Sequence, residues 1–296
     1  MTDEPLLQVR GLGLALPDTA RKPLFGAAPM KRILNEVGFT LNAGDTLGVI
    51  GESGSGKSTL ARALTWLMPP QDGEVLFRGR SIREYSAAEL VAYRTRVQMV
   101  FQDPMSALNP RRRVRSIVTQ PLRALRQLGG ADAEAREAAR LLDRVGLQAH
   151  LASRYPHELS GGQRQRVGIA RALALQPLAL IADEVTSGLD VSAQARIVAL
   201  LDELRRDTGM ALIFISHDLS LVRSLCDRVL ILRHGEVMEH GESASVFARP
   251  QNPYTRELLN AIPLPEVDEG WLERVAAAWR AKGSFPLRLL PDPSRA

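Results

Sequence analysis

Short apolar runs alternate with glycine turns and helical periods along most of this chain. Residues 6–9, 37–41, 46–50 and 74–77 are β-branched or apolar runs and predict strands. Between the last two, residues 58–67 carry a helical period behind a glycine-rich turn, and 97–101 predict another strand. From 114 to about 146 Ala, Arg, Leu and Glu recur at helical spacing, with a break at Gly129-Gly130. Residues 154–158 lead into Ser160, a hydroxyl N-cap for a helix running to about 176. Beyond it the pattern predicts a strand at 178–183, a helix over 191–207, a strand at 211–216 and a short helix. A hairpin of 228–233 and 236–239 then turns at His234-Gly235. Strands in such alternation with helices imply an α/β fold, its sheet largely parallel and covered on both faces. The helical block 105–170 interrupts that alternation and reads as an inserted subdomain. Proline density rises from Pro250, so the tail to Ala296 reads as a short C-terminal appendage, and no internal repeat is visible.

Composition narrows the class. At 296 residues the chain is long enough for two average domains, or one large α/β domain with an appendage. With 45% hydrophobic and 24% charged residues it belongs with globular proteins, not disordered or fibrous ones. Lys+Arg 38 against Asp+Glu 33 gives +5, which suits anionic ligands or a lipid-proximal position and is too small to imply nucleic acid. The basic run Arg111-Arg112-Arg113 with Arg115 has no interleaved aromatics, so it reads as a solvated face or a contact with a membrane subunit, not a nucleic-acid patch. One cysteine, Cys226, leaves no internal disulfide and no multi-cysteine metal site. No apolar run approaches the ~18 residues of a membrane span. The start, MTDEPLLQV, lacks the basic-then-apolar order of a secretory signal. A cytosolic location is the expectation.

The chemistry begins at Gly51-Glu52-Ser53-Gly54-Ser55-Gly56-Lys57-Ser58, followed by Thr59. The stretch fits G-x-x-x-x-G-K-[ST] and lies between a predicted strand and a predicted helix, as that motif requires. Its glycines let backbone N–H groups curl around an anion, and the helix start adds partial positive charge. Lys57 can reach β/γ-phosphates and Ser58 can hold Mg²⁺. Residues 180–184 form an apolar strand ending in two acids. Asp183 is suited to a Mg²⁺-bound water, and Glu184 to orienting or deprotonating attacking water. A second anion-binding helix start follows Leu159: Ser160-Gly161-Gly162-Gln163, then Arg164-Gln165-Arg166. It has no lysine or metal ligands of its own. A two-fold or pseudo-two-fold pairing could set each such half-site over the partner's complete cradle.

With these residues the chain resembles the ATP-binding subunits of ABC transporters, over about residues 6–261. Gln102 in Phe101-Gln102-Asp103-Pro104 resembles the Q-loop glutamine, Ser187-Gly188-Leu189-Asp190 the D-loop, and His217 in Ser216-His217-Asp218 the switch histidine. The resemblance implies a P-loop NTPase core with a mostly parallel sheet, an antiparallel β subdomain and an inserted helical subdomain, together spanning 1–262, and a C-terminal extension over 263–296. It implies ATP with Mg²⁺, bound head to tail between two subunits. Gln102 then touches Mg²⁺ and relays nucleotide state, and His217 contacts the γ-phosphate. Residues 101–111 and 252–259 (Asn252-Pro253-Tyr254-Thr255-Arg256-Glu257-Leu258-Leu259) further resemble the dipeptide/oligopeptide/nickel importer ATPases. In that family two ATPase subunits, usually different, sit under two membrane permease subunits at the cytoplasmic face of the inner membrane, fed by an extracytoplasmic binding protein.

Four departures stand out. Leu16 occupies the position where the family stacks an aromatic on adenine, which should weaken ATP binding by about two- to tenfold unless Phe25 substitutes. Val185 replaces a usual proline and Gly188 a usual alanine. The tail has none of the cysteines that peptide members often carry, which keeps nickel or metal–chelator cargo open beside peptides. Trp271, Leu272, Val275 and Trp279 at helical spacing there predict a helix packed on its own domain. A soluble ABC ATPase acting on DNA or ribosomes would carry a coiled-coil insertion or two ATPase copies, and neither is visible. Intact Glu184 and His217 argue against a subunit that only senses nucleotide.

Overall fold

The structure is a computed structural model and describes residues 4–18 and 26–261. The expectations for Phe25 and for the tail helix therefore lie outside the described residues. The chain divides into two compact units, one from the described residues up to 94 together with 211–261, the other from residues 95–210.

The first unit starts with β1 (Leu7–Pro17), β2 (Met30–Leu41), β3 (Thr46–Ile50), α1 (Lys57–Leu64), β4 (Asp72–Phe77), β5 (Arg80–Ser81) and α2 (Ala87–Arg96, its last turn passing into the second unit). Four of its strands make an antiparallel sheet in the order β2-β1-β4-β5. β1 is longer than the apolar run 6–9 suggests. Gly11, at φ 54, sits at a register shift between Val9 and Leu12, and the strand continues past it with Leu12 and Leu14 fully buried. α1 ends at Leu64, short of the expected 67. The Thr65 hydroxyl turns back to the Ala61 carbonyl at 3.1 Å, and Trp66 takes a left-handed φ of 57. α2 was not expected from periodicity, because Tyr93 is its single buried residue. Its start is nonetheless written locally: Glu89 accepts the Ser86 N–H at 2.8 Å while the Ser86 hydroxyl accepts the Glu89 N–H at 3.3 Å.

The second unit holds β6 (Val97–Val100), α3 (Pro104–Ala107), α4 (Val114–Val118), α5 (Gln120–Ala124), α6 (Ala131–Arg144), α7 (Gly161–Leu173), β7 (Ala179–Asp183) and α8 (Val191–Thr208). β6 and β7 pair in parallel, Val97 opposite Ala179 and Val100 opposite Ala182. The helical stretch from 114 breaks at Gly130 as expected, and once more near Thr119, whose hydroxyl donates to the Arg115 carbonyl at 2.7 Å before Pro121 opens α5.

The first unit resumes with β8 (Ala211–Ile215), α9 (Leu219–Leu225), β9 (Arg228–Arg233), β10 (Glu236–Glu242), α10 (Ser243–Ala248) and α11 (Pro253–Ala261). β3 lies between β8 and β9, parallel to both, and β10 closes the edge antiparallel to β9. The hairpin between β9 and β10 turns at His234 (φ 49) and Gly235 (φ 84), two consecutive left-handed residues as the tightest hairpins need. β3, β7 and β8 are buried along their whole length, which is why each reads as an unbroken apolar run.

Candidate nucleotide site

β3 delivers the chain to Gly51 at one end of its sheet. A Cβ at Gly51 would run into the Leu232 carbonyl, so only glycine passes there. The turn then reaches Gly56, the N-cap of α1, at φ 107; among the described residues no side chain caps that helix start. The first N–H groups of a helix have no partner within the helix itself. Lys57 is 5% exposed, and its Nζ donates to the carbonyls of Gly51 (2.7 Å) and Glu52 (2.8 Å). The Ser55 hydroxyl is buried and has no hydrogen-bond partner. The loop is braced from outside by the hairpin turn, where Gly235 N–H donates to the Ser55 carbonyl at 2.9 Å.

β8 runs beside β3, and the Ser216 N–H donates to the Val49 carbonyl at 3.4 Å. His217 thus leaves the same sheet end as Gly51, and is exposed there. Asp218 beside it caps α9 through the N–H groups of Ser220 (2.9 Å) and Leu221 (3.2 Å), which fixes the turn that carries the imidazole. Strand ends of this kind are where open α/β sheets take ligands. The first unit therefore gathers residues 51–59 and His217.

The second unit gathers the acids. Asp183 ends β7 and is 3% exposed. Glu184 follows at a left-handed φ of 47, a costly conformation for a glutamate and one that concentrates at functional turns. Gln102, just past the end of β6, donates its Nε2 proton to Glu184 Oε2 at 2.6 Å. Val185 packs fully buried where a proline would be usual, and Gly188 has φ 70, a conformation glycine takes more readily than alanine.

α7 begins differently from α1. The Ser160 hydroxyl accepts the Gln163 N–H at 3.3 Å, and the Gln163 side chain accepts the Ser160 N–H at 2.9 Å, a reciprocal capping box. A Cβ on Gly162 would make only ordinary contact with Ala193, so packing alone does not require glycine there. Ser160, Gly161, Gly188, Asp190, Arg166 and Arg196 share a cleft of about 380 Å³. Burial lowers the Arg166 pKa to about 10, with the Arg196 charge adding to it. Asp190 caps α8 through the Ala193 N–H at 2.8 Å, and its carboxyl is held below its usual pKa by the Ser192 hydroxyl and then that N–H. Among the described residues no helix is long and apolar enough to cross a membrane, and no cluster of three or more His, Cys, Asp or Glu could hold a metal alone.

A strand feeding a lysine-bearing glycine turn and an uncapped helix, in a chain that also has an acid-tipped strand, defines a P-loop nucleotide-binding protein of α/β type. The sequence model of the ABC transporter family matches residues 34–187. The chain is 43% identical over 290 residues to the oligopeptide transport ATP-binding protein OppF of Haemophilus influenzae, covering 97% of this chain and 86% of that one. It is 46% identical over 264 residues to the glutathione import ATP-binding protein GsiA of Salmonella paratyphi A, spanning 89% of this chain but 42% of that protein's length. Among solved structures, the ATP-binding cassette MJ0796, a dimer in a post-hydrolysis state with ADP and Pi, superposes with TM-score 0.69 at 28% identity, covering 80% of this chain and 98% of that one. CbiO1 of Clostridium perfringens, part of the transporter complex cbiONQ, gives the same TM-score and identity over 88% and 97%. The chain belongs to the ABC transporter family as one of its ATP-binding proteins, ATPases coupled to transport.

Proposed function

We propose that this chain is the ATP-hydrolysing subunit of an importer for peptides or related solutes, working as a peripheral subunit at the cytoplasmic face of the cell membrane. It pairs with a second ATPase subunit, a paralogue or a second copy, beneath two permease subunits fed by an extracytoplasmic binding protein. The observation that carries this reading is the presence of two unlike helix starts in one chain. One has a lysine and an uncapped N-terminus; the other is a cleft with a capped serine and no lysine. A full cradle completed by a neighbour's half-site is the logic of a two-fold sandwich. Oligopeptide and glutathione in the names of the relatives support peptide-class cargo.

The residues fit a Mg²⁺-bound nucleoside triphosphate. The Ser55 hydroxyl is buried and unpartnered, a Cβ at Gly54 would meet open space, and the Lys57 ammonium is held at the carbonyls of the loop itself. Bound ATP supplies the phosphoanhydride that is broken, and Mg²⁺ the charge that offsets its phosphates. Residues 51–59 bind the phosphates through backbone N–H groups, with Lys57 at the β/γ positions. Ser58, Asp183 and Gln102 are the residues that would hold Mg²⁺, Glu184 would take the proton of attacking water, and His217 would steady the γ-phosphate. Ser160, Gly161, Gly162 and Gln163 complete the partner's site. Residues 1–262 form the ATPase domain and 263–296 an extension. The helical block 105–170 and the Gln102 loop carry closure to the permeases, driven by the higher affinity of ATP for the closed state. Light scattering of the purified chain, alone and mixed with its paralogue, should report ATP-dependent association. Unchanged mass in both samples would overturn the reading.

A further inference from the structure

Asn252-Pro253-Tyr254-Thr255 has no role in the scheme above, yet the structure builds it with care. Glu239 on β10 accepts the N–H groups of Gln251 (2.8 Å) and Asn252 (3.0 Å). Asn252 in turn donates to the Met238 carbonyl at 2.9 Å and accepts the Tyr254 N–H at 2.9 Å. Pro253, with no N–H to satisfy, opens α11. Tyr254 is thereby fixed in place and 4% exposed.

Its ring lies over the Arg233 guanidinium at 4.4 Å. Arg233 ends β9, between Leu232, whose carbonyl walls in Gly51, and the His234-Gly235 turn that holds the Ser55 carbonyl. The Arg233 Nε is buried without a hydrogen-bond partner, so the ring face is the contact that meets that part of the guanidinium. The phenol also lies within electrostatic reach of Glu52 of the P-loop. It makes no hydrogen bond of ordinary length, and burial raises its pKa.

We propose that Tyr254 is a positioning residue for nucleotide binding: stacked on Arg233 and within reach of Glu52, it holds the outer wall of the P-loop in the shape that receives a triphosphate. This rests on the nucleotide reading of residues 51–58. The ring–cation contact, not bulk, does the holding, and the phenol oxygen is secondary.

The test uses the full chain and trinitrophenyl-ATP with Mg²⁺ as the probe. Tyr254→Leu keeps most of the volume and removes the π face. It should weaken nucleotide binding about three- to tenfold, and Tyr254→Ala at least as much. Tyr254→Phe keeps the face and should restore binding to within about twofold of wild type. In hydrolysis assays of the assembled transporter the Leu variant should raise KM for ATP by a similar factor with kcat little changed, a split that general loosening of the fold would not give. Should Tyr254→Ala fail to fold, the Leu and Phe pair still decides. A Leu variant that titrates like wild type, or a Phe variant as weak as Leu, overturns the proposal. A wild-type chain that takes up no nucleotide, or a Lys57→Ala chain that binds as well as wild type, overturns the reading beneath it and this inference with it.

Discussion

Two helices of this chain start on glycine-rich turns, and the contrast between them separates the work of the two units. α1 starts at Gly56, without a side-chain cap, and its lysine is buried against the turn's own carbonyls. α7 starts at Ser160, and its first N–H groups are partly satisfied by a Ser160–Gln163 capping box. Both offer the same partial charge to an anion. The first start has no side-chain cap and carries a cation, which suits it to hold a polyanion alone. The capped start is stable without a ligand and can afford to be a surface that a partner's ligand meets. The acids, meanwhile, stand in the second unit with α7, so in the proposed scheme phosphate binding and water activation fall to different parts of the chain.

The largest effect should come from removing the acid. Glu184→Gln preserves size and its contact with Gln102, and should lower hydrolysis by about 10²–10⁴-fold while nucleotide titration stays near wild type. The same variant should accumulate as an ATP-bound dimer in size-exclusion runs. Wild-type turnover would erase the division between the units. Next comes Lys57→Ala, which removes a charged donor from the first unit. Loss of its hydrogen bonds predicts nucleotide binding weaker by roughly 10- to 100-fold, with hydrolysis falling alongside it. Equal titration curves for variant and wild type would mean that the uncapped start does not hold the anion.

Ser160→Arg addresses the capped start. The serine hydroxyl is lost from the cap and a bulky cation is set into the cleft shared with Arg166 and Arg196. Like charges then crowd in a partly buried place. The chain's own P-loop should still bind nucleotide, whereas a mixed dimer carrying one variant subunit should lose roughly tenfold in hydrolysis at the partner's site. Full activity in that mixed dimer would break the comparison from the other side.

The sequence and the structure agree where one local rule decides. β3, β7 and β8 are legible because burial on both faces leaves only apolar residues, and α7 because Ser160 and Gln163 cap at the required spacing. The far half of β1 was hidden because Gly11 reads as a turn, although it makes a bulge that lets the strand run on. α2 was hidden because it buries one side chain, though Ser86-x-x-Glu89 announced its start. In the candidate site the residue types were legible and their contacts were not. The Gln102–Glu184 hydrogen bond spans 82 positions, and the Arg233–Tyr254 stack beside Glu52 joins three separate turns through the hairpin at His234. Only the paired strands that bring those turns together could reveal them.

The smallest and most selective change is a gain. Leu16 is half-buried near the end of β1, opposite Lys31 of β2, at the position where the sequence resemblance implies an aromatic set against adenine. The backbone there is held firmly: Gln71 accepts the Ala15 N–H at 2.6 Å and donates to the Ala15 carbonyl at 3.0 Å. A ring grafted onto a held strand loses little freedom on stacking, so Leu16→Tyr should gain about 0.5–1.5 kcal/mol, a two- to tenfold tighter nucleotide titration. Because the ring would act on the base from the first unit, the gain should reappear at equal size in the Ser160→Arg background, as independent sites add. Unchanged affinity would mean that β1 does not reach the base in this chain. A gain that vanishes with Ser160→Arg would mean that the capped start contributes to binding within one subunit, contrary to the division argued from α1 and α7.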